Sequence, residues 1–270
     1  MTHRPCVVCG TADPRPRYSR NGFELVACSA CACLYVGQDP ATIDFDALYG
    51  KDYYTGGHDT VFEDYVGQQA ARRAAARRKL FALRHFGGIP KRGRLLDVGC
   101  AAGFFLAEAR AHYEVQGVEL SSWSSAWARE QLGLPVFTGT LQQAALPAAH
   151  FDVVTLWDVI EHVPDPVPLL SEAARVMKPG GRLVLTTGDW GSRYAQAQGE
   201  RWHLMTPPWH LSFFSRATLA EAARRAGLKP VGWASEGVAG DGALWRNRAS
   251  LVLSRWAGLG DIVRLTLAKH

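Results

Sequence analysis

No run of eighteen or more apolar residues occurs in the chain, so no transmembrane helix is expected. The opening Met1-Thr2-His3-Arg4-Pro5-Cys6 lacks the apolar core of a secretory signal, which makes the cytoplasm the expected compartment. With 47% apolar residues among 270, the composition is not that of a disordered chain; it suits one main domain with appendages. Cysteines number only 6, and in a reducing compartment they argue for metal binding or simple burial over a disulfide framework. The most uneven absence is of acids. From Tyr65 to Leu96 there is none, while Arg72, Arg73, Arg77, Arg78, Lys79, Arg84, Lys91, Arg92 and Arg94 crowd the segment. Two readings stand: a solvated helix face, or the edge of a site for a phosphorylated or carboxylated substrate or for RNA.

Four of the cysteines fall into two knuckles, Cys6-Val7-Val8-Cys9 and Cys28-Ser29-Ala30-Cys31, with a short strand Phe23 to Val26 leading into the second and turn-rich sequence from Thr11 to Arg20. This spacing predicts a closed four-thiolate, structural zinc ribbon over residues 1–36. Cys33 is an alternative to Cys31. Cys100 reads as a small packing residue beside a ligand loop.

The stretch Leu95-Leu96-Asp97-Val98-Gly99-Cys100-Ala101-Ala102-Gly103 is an apolar strand ending in an acid and glycines, and helical sequence follows it. A second strand, Val115 to Leu120, ends in Glu119. That is how a doubly wound sheet builds a nucleoside site at its switch point, with Glu119 accepting from both ribose hydroxyls. A dinucleotide fits less well, because Ala101 stands where a second glycine would meet the pyrophosphate and Asp97 would repel phosphate. Asp97 suits a ligand carrying an ammonium group.

Strands are expected near 94–99, 114–119, 135–139, 151–157 and 181–187, and helices near 103–112, 122–132, 166–177 and 215–227. A last strand over 262–269 is expected because Val263, Leu265 and Leu267 alternate with Arg264, Thr266 and Ala268.

Together, Asp97 to Gly103, Glu119, Phe151-Asp152-Val153-Val154, Glu161-His162-Val163-Pro164-Asp165-Pro166 and Lys178-Pro179-Gly180-Gly181 resemble the class I S-adenosylmethionine (SAM) methyltransferases. The Glu-His-Val-Pro-Asp-Pro block is similar to the ubiquinone-biosynthesis O-methyltransferase group and its bacterial relatives. The resemblance implies an α/β fold: a doubly wound, mostly parallel, seven-stranded Rossmann-like sheet, with its last strand antiparallel beside 230–235. The resemblance covers roughly residues 41 to 236, and the expected organisation is a SAM-binding domain over 91–270 with insertions near 190–214 and 237–260, preceded by a helical lid and linker over 37–90. By the same resemblance Asp97 and Gly99 would meet the methionine end of SAM and Glu119 the ribose. Leu120 and Leu141, beside Thr140, would face the adenine, Trp157 the sulfonium, and Tyr54 or Tyr53 would fold over the cofactor. Cys100 and Gly103 belong to the same loop. Ala243 to Ala257, with Trp245 and Trp256, would form an inserted helix; its candidate roles are capping the substrate, pairing two subunits as a homodimer, touching a membrane surface or plain packing.

For an acceptor hydroxyl, His162 is the expected base, with His210 and His203 as rivals and Asp189 as a further orienting group. The aromatic segment Trp202 to Phe214 is expected to wall the substrate. Asp158-x-x-Glu161-His162 also resembles a ligand set for a divalent cation in some O-methyltransferases. The expected partner is a small-molecule, lipid-like or sugar acceptor. The alternatives are C- or N-methylation of a metabolite and, raised by the ribbon and basic helix, RNA, although the stretch Trp157-Asp158-Val159-Ile160 lacks the Asn/Asp-Pro-Pro-Tyr/Phe clamp of base-methylating enzymes.

Overall fold

A computed structural model describes residues 3–56, 64–236 and 260–269. The segment expected to form an inserted helix lies outside them. Three strands build the amino-terminal ribbon, β1 (Pro14–Arg20), β2 (Phe23–Cys28) and β3 (Leu34–Val36). β1 occupies the stretch that the sequence suggested to be turns. Pro14 and Pro16 are tolerated there because β1 is the edge strand of its sheet, where a missing N–H costs no ladder bond. The short helices α1 (Phe45–Leu48) and α2 (Lys51–Thr55) follow, and then the basic helix α3 (Gln69–Phe86).

The larger sheet takes β4 (Arg94–Val98), β5 (Glu114–Glu119), β6 (Val136–Thr138), β7 (Phe151–Trp157), β8 (Met177–Gly188), β10 (Leu228–Glu236) and β11 (Ile262–Lys269). Their order is β10-β11-β8-β7-β4-β5-β6, and β11 alone runs antiparallel to its neighbours. The seven-stranded sheet and its antiparallel last strand agree with the sequence expectation. Residues alternate between the two faces. Leu96, Val98, Val154, Leu156, Leu183 and Leu185 share one core with helices α6 (Pro166–Val176) and α8 (Arg216–Arg225). Leu95, Val153 and Val184 share the other with α3, α4 (Phe104–Ala109) and α5 (Ser122–Leu132). Covering both faces explains why these strands read as continuous apolar runs.

Local signals set the helix ends. The Ser121 side chain caps α5, Gly133 closes it at φ 61°, and Ser215 and Thr218 form a capping box on α8. Gly103 (φ 77°) begins α4, and a Cβ there would stand 2.6 Å from Leu134 Cδ1. Its glycine is thus required for the fit against the α5 side of the core.

After β8, the insertion carries α7 (Arg193–Gln198) and the two-residue β9 (Ser212–Phe213). β9 is the fourth strand of the ribbon sheet, in the order β1-β2-β3-β9. Leu25, Leu34 and Val36 of the ribbon share a third core with Trp202, Met205, Leu211 and Phe213 of the insertion. Each such buried apolar side chain stabilises by roughly 1.5–3 kcal/mol. The hydrogen-bonded sheet therefore crosses from the first 36 residues into the insertion.

Candidate active site

Beyond the carboxyl ends of β4, β5, β7 and β8 lies a cavity of about 1030 Å³. Of the residues expected to bind the cofactor, Tyr54, Asp97, Gly99, Cys100, Glu119, Leu120, Thr140, Leu141 and Trp157 all line it. Gly103 does not line it. Ala101 takes the left-handed φ of 49°, which turns its N–H onto Glu119 Oε2 at 2.8 Å, while Ser121 N–H donates to Oε1 at 2.8 Å. The carboxylate is thereby fixed, with the Tyr54 hydroxyl also within its reach, and it presents acceptor oxygens to a diol. Burial raises its pKa, against the pull of these two N–H donors.

Asp97, 1% exposed, accepts from the Thr155 hydroxyl at 2.6 Å. Burial pushes its carboxyl up to about 7, and Glu119 adds to the push. Such a group gains from a cationic ligand that restores its charge. Tyr54 stacks on Trp123 with centroids 5.7 Å apart, closing the wall from α2. Lys79 of α3 stands 4.7 Å from the Trp157 ring centroid and 3.6 Å from Asp158 Oδ2. In the sequence Lys79 is one charge among many in the acid-free run. Its position on the α3 face shared with the buried Ala76, Leu80 and Leu83 is the signal that could have singled it out.

On the acceptor side, His162 Nδ1 lies 2.8 Å from Trp209 O and His210 Nδ1 lies 2.6 Å from Leu204 O. A carbonyl can only accept, so each Nδ1 carries the proton and each Nε2 keeps its lone pair. The Tyr49 hydroxyl stands 2.9 Å from the same His162 nitrogen. The two imidazole rings meet edge to face at 4.7 Å. Burial, and then His210, pushes His162 down to about 3, and burial also lowers His210. Glu161 is buried with an Oε2 that has no partner within the protein, and burial raises its carboxyl to about 8 with Asp158 adding repulsion. One donor atom from each of Glu161, His162 and His210 lies within 4.8 Å of the others. Two neutral imidazoles oriented through their Nδ1–H groups, beside a buried carboxyl whose Oε2 lacks a protein partner, form a donor set that fits a divalent cation, which would favour the ionised carboxylate.

Asp158 stands outside that cluster. Its Oδ1 accepts from Thr186 Oγ1 at 2.7 Å, and Oδ2 faces Lys79. Asp189 is also apart from the cavity wall, accepting from Gly191 N–H at 3.1 Å and Arg216 Nε at 3.0 Å. His203 lines the cavity with Nδ1 3.5 Å from Oδ2 of the buried Asp261, a pairing that no local sequence signal marks.

In the ribbon, Cys6, Cys9, Cys28 and Cys31 bring their sulfurs together, with Cys6 to Cys31 at 3.5 Å and Cys9 to Cys28 at 3.4 Å. A tetrahedral zinc with Zn–S near 2.3 Å sets sulfurs about 3.8 Å apart, so the four thiols fit that ion. Cys33 is fully buried and is not one of the four.

A family profile described as a methyltransferase domain matches residues 67–232. A ubiquinone biosynthesis O-methyltransferase of Cereibacter sphaeroides is 35% identical over 182 residues, 62% of this chain and 70% of the relative. One from Thiobacillus denitrificans is 37% identical over 150 residues, 50% of this chain and 64% of that one. Among solved structures, a SAM-dependent methyltransferase from Thermotoga maritima superposes with a TM-score of 0.55 at 23% identity, covering 76% of this chain and 95% of its own. Another from Archaeoglobus fulgidus gives 0.54 at 17% identity, covering 84% and 100%. Among the described residues no helix is long and apolar enough to cross a membrane.

Proposed function

The chain belongs to the class I SAM-dependent methyltransferases, and from that premise we propose that it methylates a hydroxyl of a small-molecule acceptor beside a divalent cation held by Glu161, His162 and His210. The observation that carries this reading is the convergence of those three donors in the same cavity as the cofactor residues. The relatives named as O-methyltransferases support oxygen as the acceptor atom. Phe45, Tyr49, Tyr53 and Trp209 on the cavity wall favour an aromatic or otherwise apolar body on the acceptor.

In this reading Glu119 holds the ribose, Asp97 the ammonium and Lys79 the carboxylate of the methionine end. Methyl transfer is an in-line displacement. The acceptor oxygen bonds to the methyl carbon as the C–S bond breaks, and that electron pair passes to sulfur, leaving a neutral thioether. The chain contributes alignment and exclusion of water. A bound divalent cation supplies Lewis acidity that lowers the pKa of the hydroxyl. His162, held down to about 3, is a weak proton acceptor but a good neutral ligand. His203, an imidazole outside the donor set that lines the same cavity 3.5 Å from Asp261, is the group we assign to take the hydroxyl proton. The four thiolates of the ribbon hold a structural zinc.

Titration of zinc-loaded protein with Mn2+, followed by electron paramagnetic resonance, tests the reading. One equivalent should bind, and Glu161→Gln should weaken it by on the order of tenfold or more while S-adenosylhomocysteine affinity is preserved. Wild-type protein that binds no Mn2+, Co2+ or Mg2+ beyond the zinc of the ribbon would overturn it.

A further inference from the structure

We propose that the ribbon, through Arg4 and β3, is the positioning device of the acceptor half of the site, so that closing the four-thiolate cluster sets the placement of Glu161, His162 and His210. The inference rests on reading these three as the acceptor-side group, although its first measurement does not depend on that reading.

The covalent path is short. Arg4 lies two residues before Cys6, and β3 begins three residues after Cys31. Within the second knuckle, Ala32 N–H donates to Cys28 O at 2.9 Å and Cys28 N–H to Cys33 O at 2.9 Å, so the thiolate turn passes directly into β3. β3 then pairs with β9, Leu34 opposite Phe213 and Tyr35 opposite Ser212, and Val36 N–H donates to Leu211 O at 2.9 Å.

The segment seized in this way carries the site. Trp209 O orients His162, His210 follows it, and the N–H groups of Leu211 and Ser212 donate to Glu161 O at 2.7 and 3.2 Å. Residues 209–212 are thus clasped between a ribbon strand and the turn bearing Glu161 and His162. Arg4 joins the same two partners a second time: Nε donates to Val36 O at 3.0 Å and Nη1 to Pro164 O at 3.2 Å. The Tyr35 hydroxyl donates to Arg4 O at 3.1 Å, and the guanidinium lies over the Tyr35 ring. Removing the strand would leave main-chain groups of 211–213 unpaired and strip Leu25, Leu34 and Val36 from the core under the insertion.

The cofactor half is built otherwise. Gly99 and Cys100 N–H groups donate to Val118 O, and Ala101 N–H to Glu119, all within the larger sheet. A strut that reaches one half of the cavity and not the other predicts a separable loss.

Hydrogen exchange on the full chain reads this directly, comparing zinc-loaded wild type, the same protein stripped by chelator, and zinc-loaded Arg4→Met. In stripped protein and in Arg4→Met, exchange over 161–164 and 209–213 should accelerate by about tenfold or more, while 99–101 and S-adenosylhomocysteine affinity stay within about twofold. Arg4→Met keeps all four thiols, so it decides the matter even where stripping melts the ribbon. Acceleration confined to 3–36, or unchanged exchange at 161–164 and 209–213 in Arg4→Met, would overturn the proposal. Normal exchange effects combined with absence of Mn2+ binding would instead remove the cation and leave the strut standing.

Discussion

Asp97→Asn should stabilise the cofactor-free protein above neutral pH and abolish much of its response to cofactor. The Asp97 carboxyl is buried, and its pKa moves from 3.8 to about 7, chiefly through burial. A carboxyl raised in the folded state binds its proton more tightly there than in the unfolded chain. Its contribution to stability is therefore fully present below pH 3.8, declines as pH rises, and is lost above about 7. At 1.4 kcal/mol per pH unit, the displacement corresponds to about 4 kcal/mol at most, reduced by whatever local relaxation accompanies ionisation. Asparagine keeps an oxygen for the Thr155 hydroxyl and never ionises, so it removes this loss. Melts at pH 5.5 and pH 8 should show the variant gaining on wild type between the two, by several degrees in Tm for a chain of this size. Glu161, raised to about 8, tilts both proteins alike and cancels in the comparison. Added S-adenosylhomocysteine should raise the wild-type Tm more at pH 8 than at 5.5, as Asp97 ionises to meet the ammonium, and should raise the variant's far less. A variant whose Tm difference from wild type is equal at the two pH values, or that keeps the full cofactor response, would refute the reasoning.

The larger sheet was legible because each of its strands carries its own burial pattern. β4, β7 and β8 each carry an unbroken apolar stretch, Leu95-Leu96, Val153-Val154 and Leu183-Val184-Leu185, since both faces are covered there, and β11 alternates. Short-range chemistry made the cofactor side equally legible, since Asp97, Gly99 and Glu119 sit at strand ends that any doubly wound sheet turns toward its ligand. What stayed hidden depends on long-range closure. The sequence places His210 beside His162 as a candidate at the acceptor, but not the closure that joins them across 48 residues: β9 leaves the insertion to join the ribbon sheet, and a two-residue strand has no periodicity to read. Asp158 looked like a ligand by spacing from Glu161, yet Thr186 and Lys79 engage its two oxygens. β1 escaped notice because its prolines and arginines suit an exposed edge and so mimic a turn.

The remaining predictions concern the ribose acid and the loop before it. Glu119→Gln places an amide donor against one of two backbone N–H groups that the carboxylate now satisfies. S-adenosylhomocysteine affinity should therefore fall by roughly ten- to a hundredfold in calorimetry, with little dependence on salt; an unchanged affinity would remove Glu119 from the ribose. Ala101→Gly tests whether the loop tolerates strain for the sake of that same bond. Ala101 holds φ at 49°, a region that costs an L-residue about 1–2 kcal/mol, whereas glycine enters it freely. Glycine also gives the unfolded chain about 0.4–1 kcal/mol of extra entropy, which offsets part of the relief. The expected net is a gain of up to about 1 kcal/mol in urea denaturation, with cofactor affinity unchanged because the N–H to Glu119 survives the substitution. A loss of stability would mean that the Ala101 methyl, on the cavity wall, contributes packing that outweighs its backbone strain.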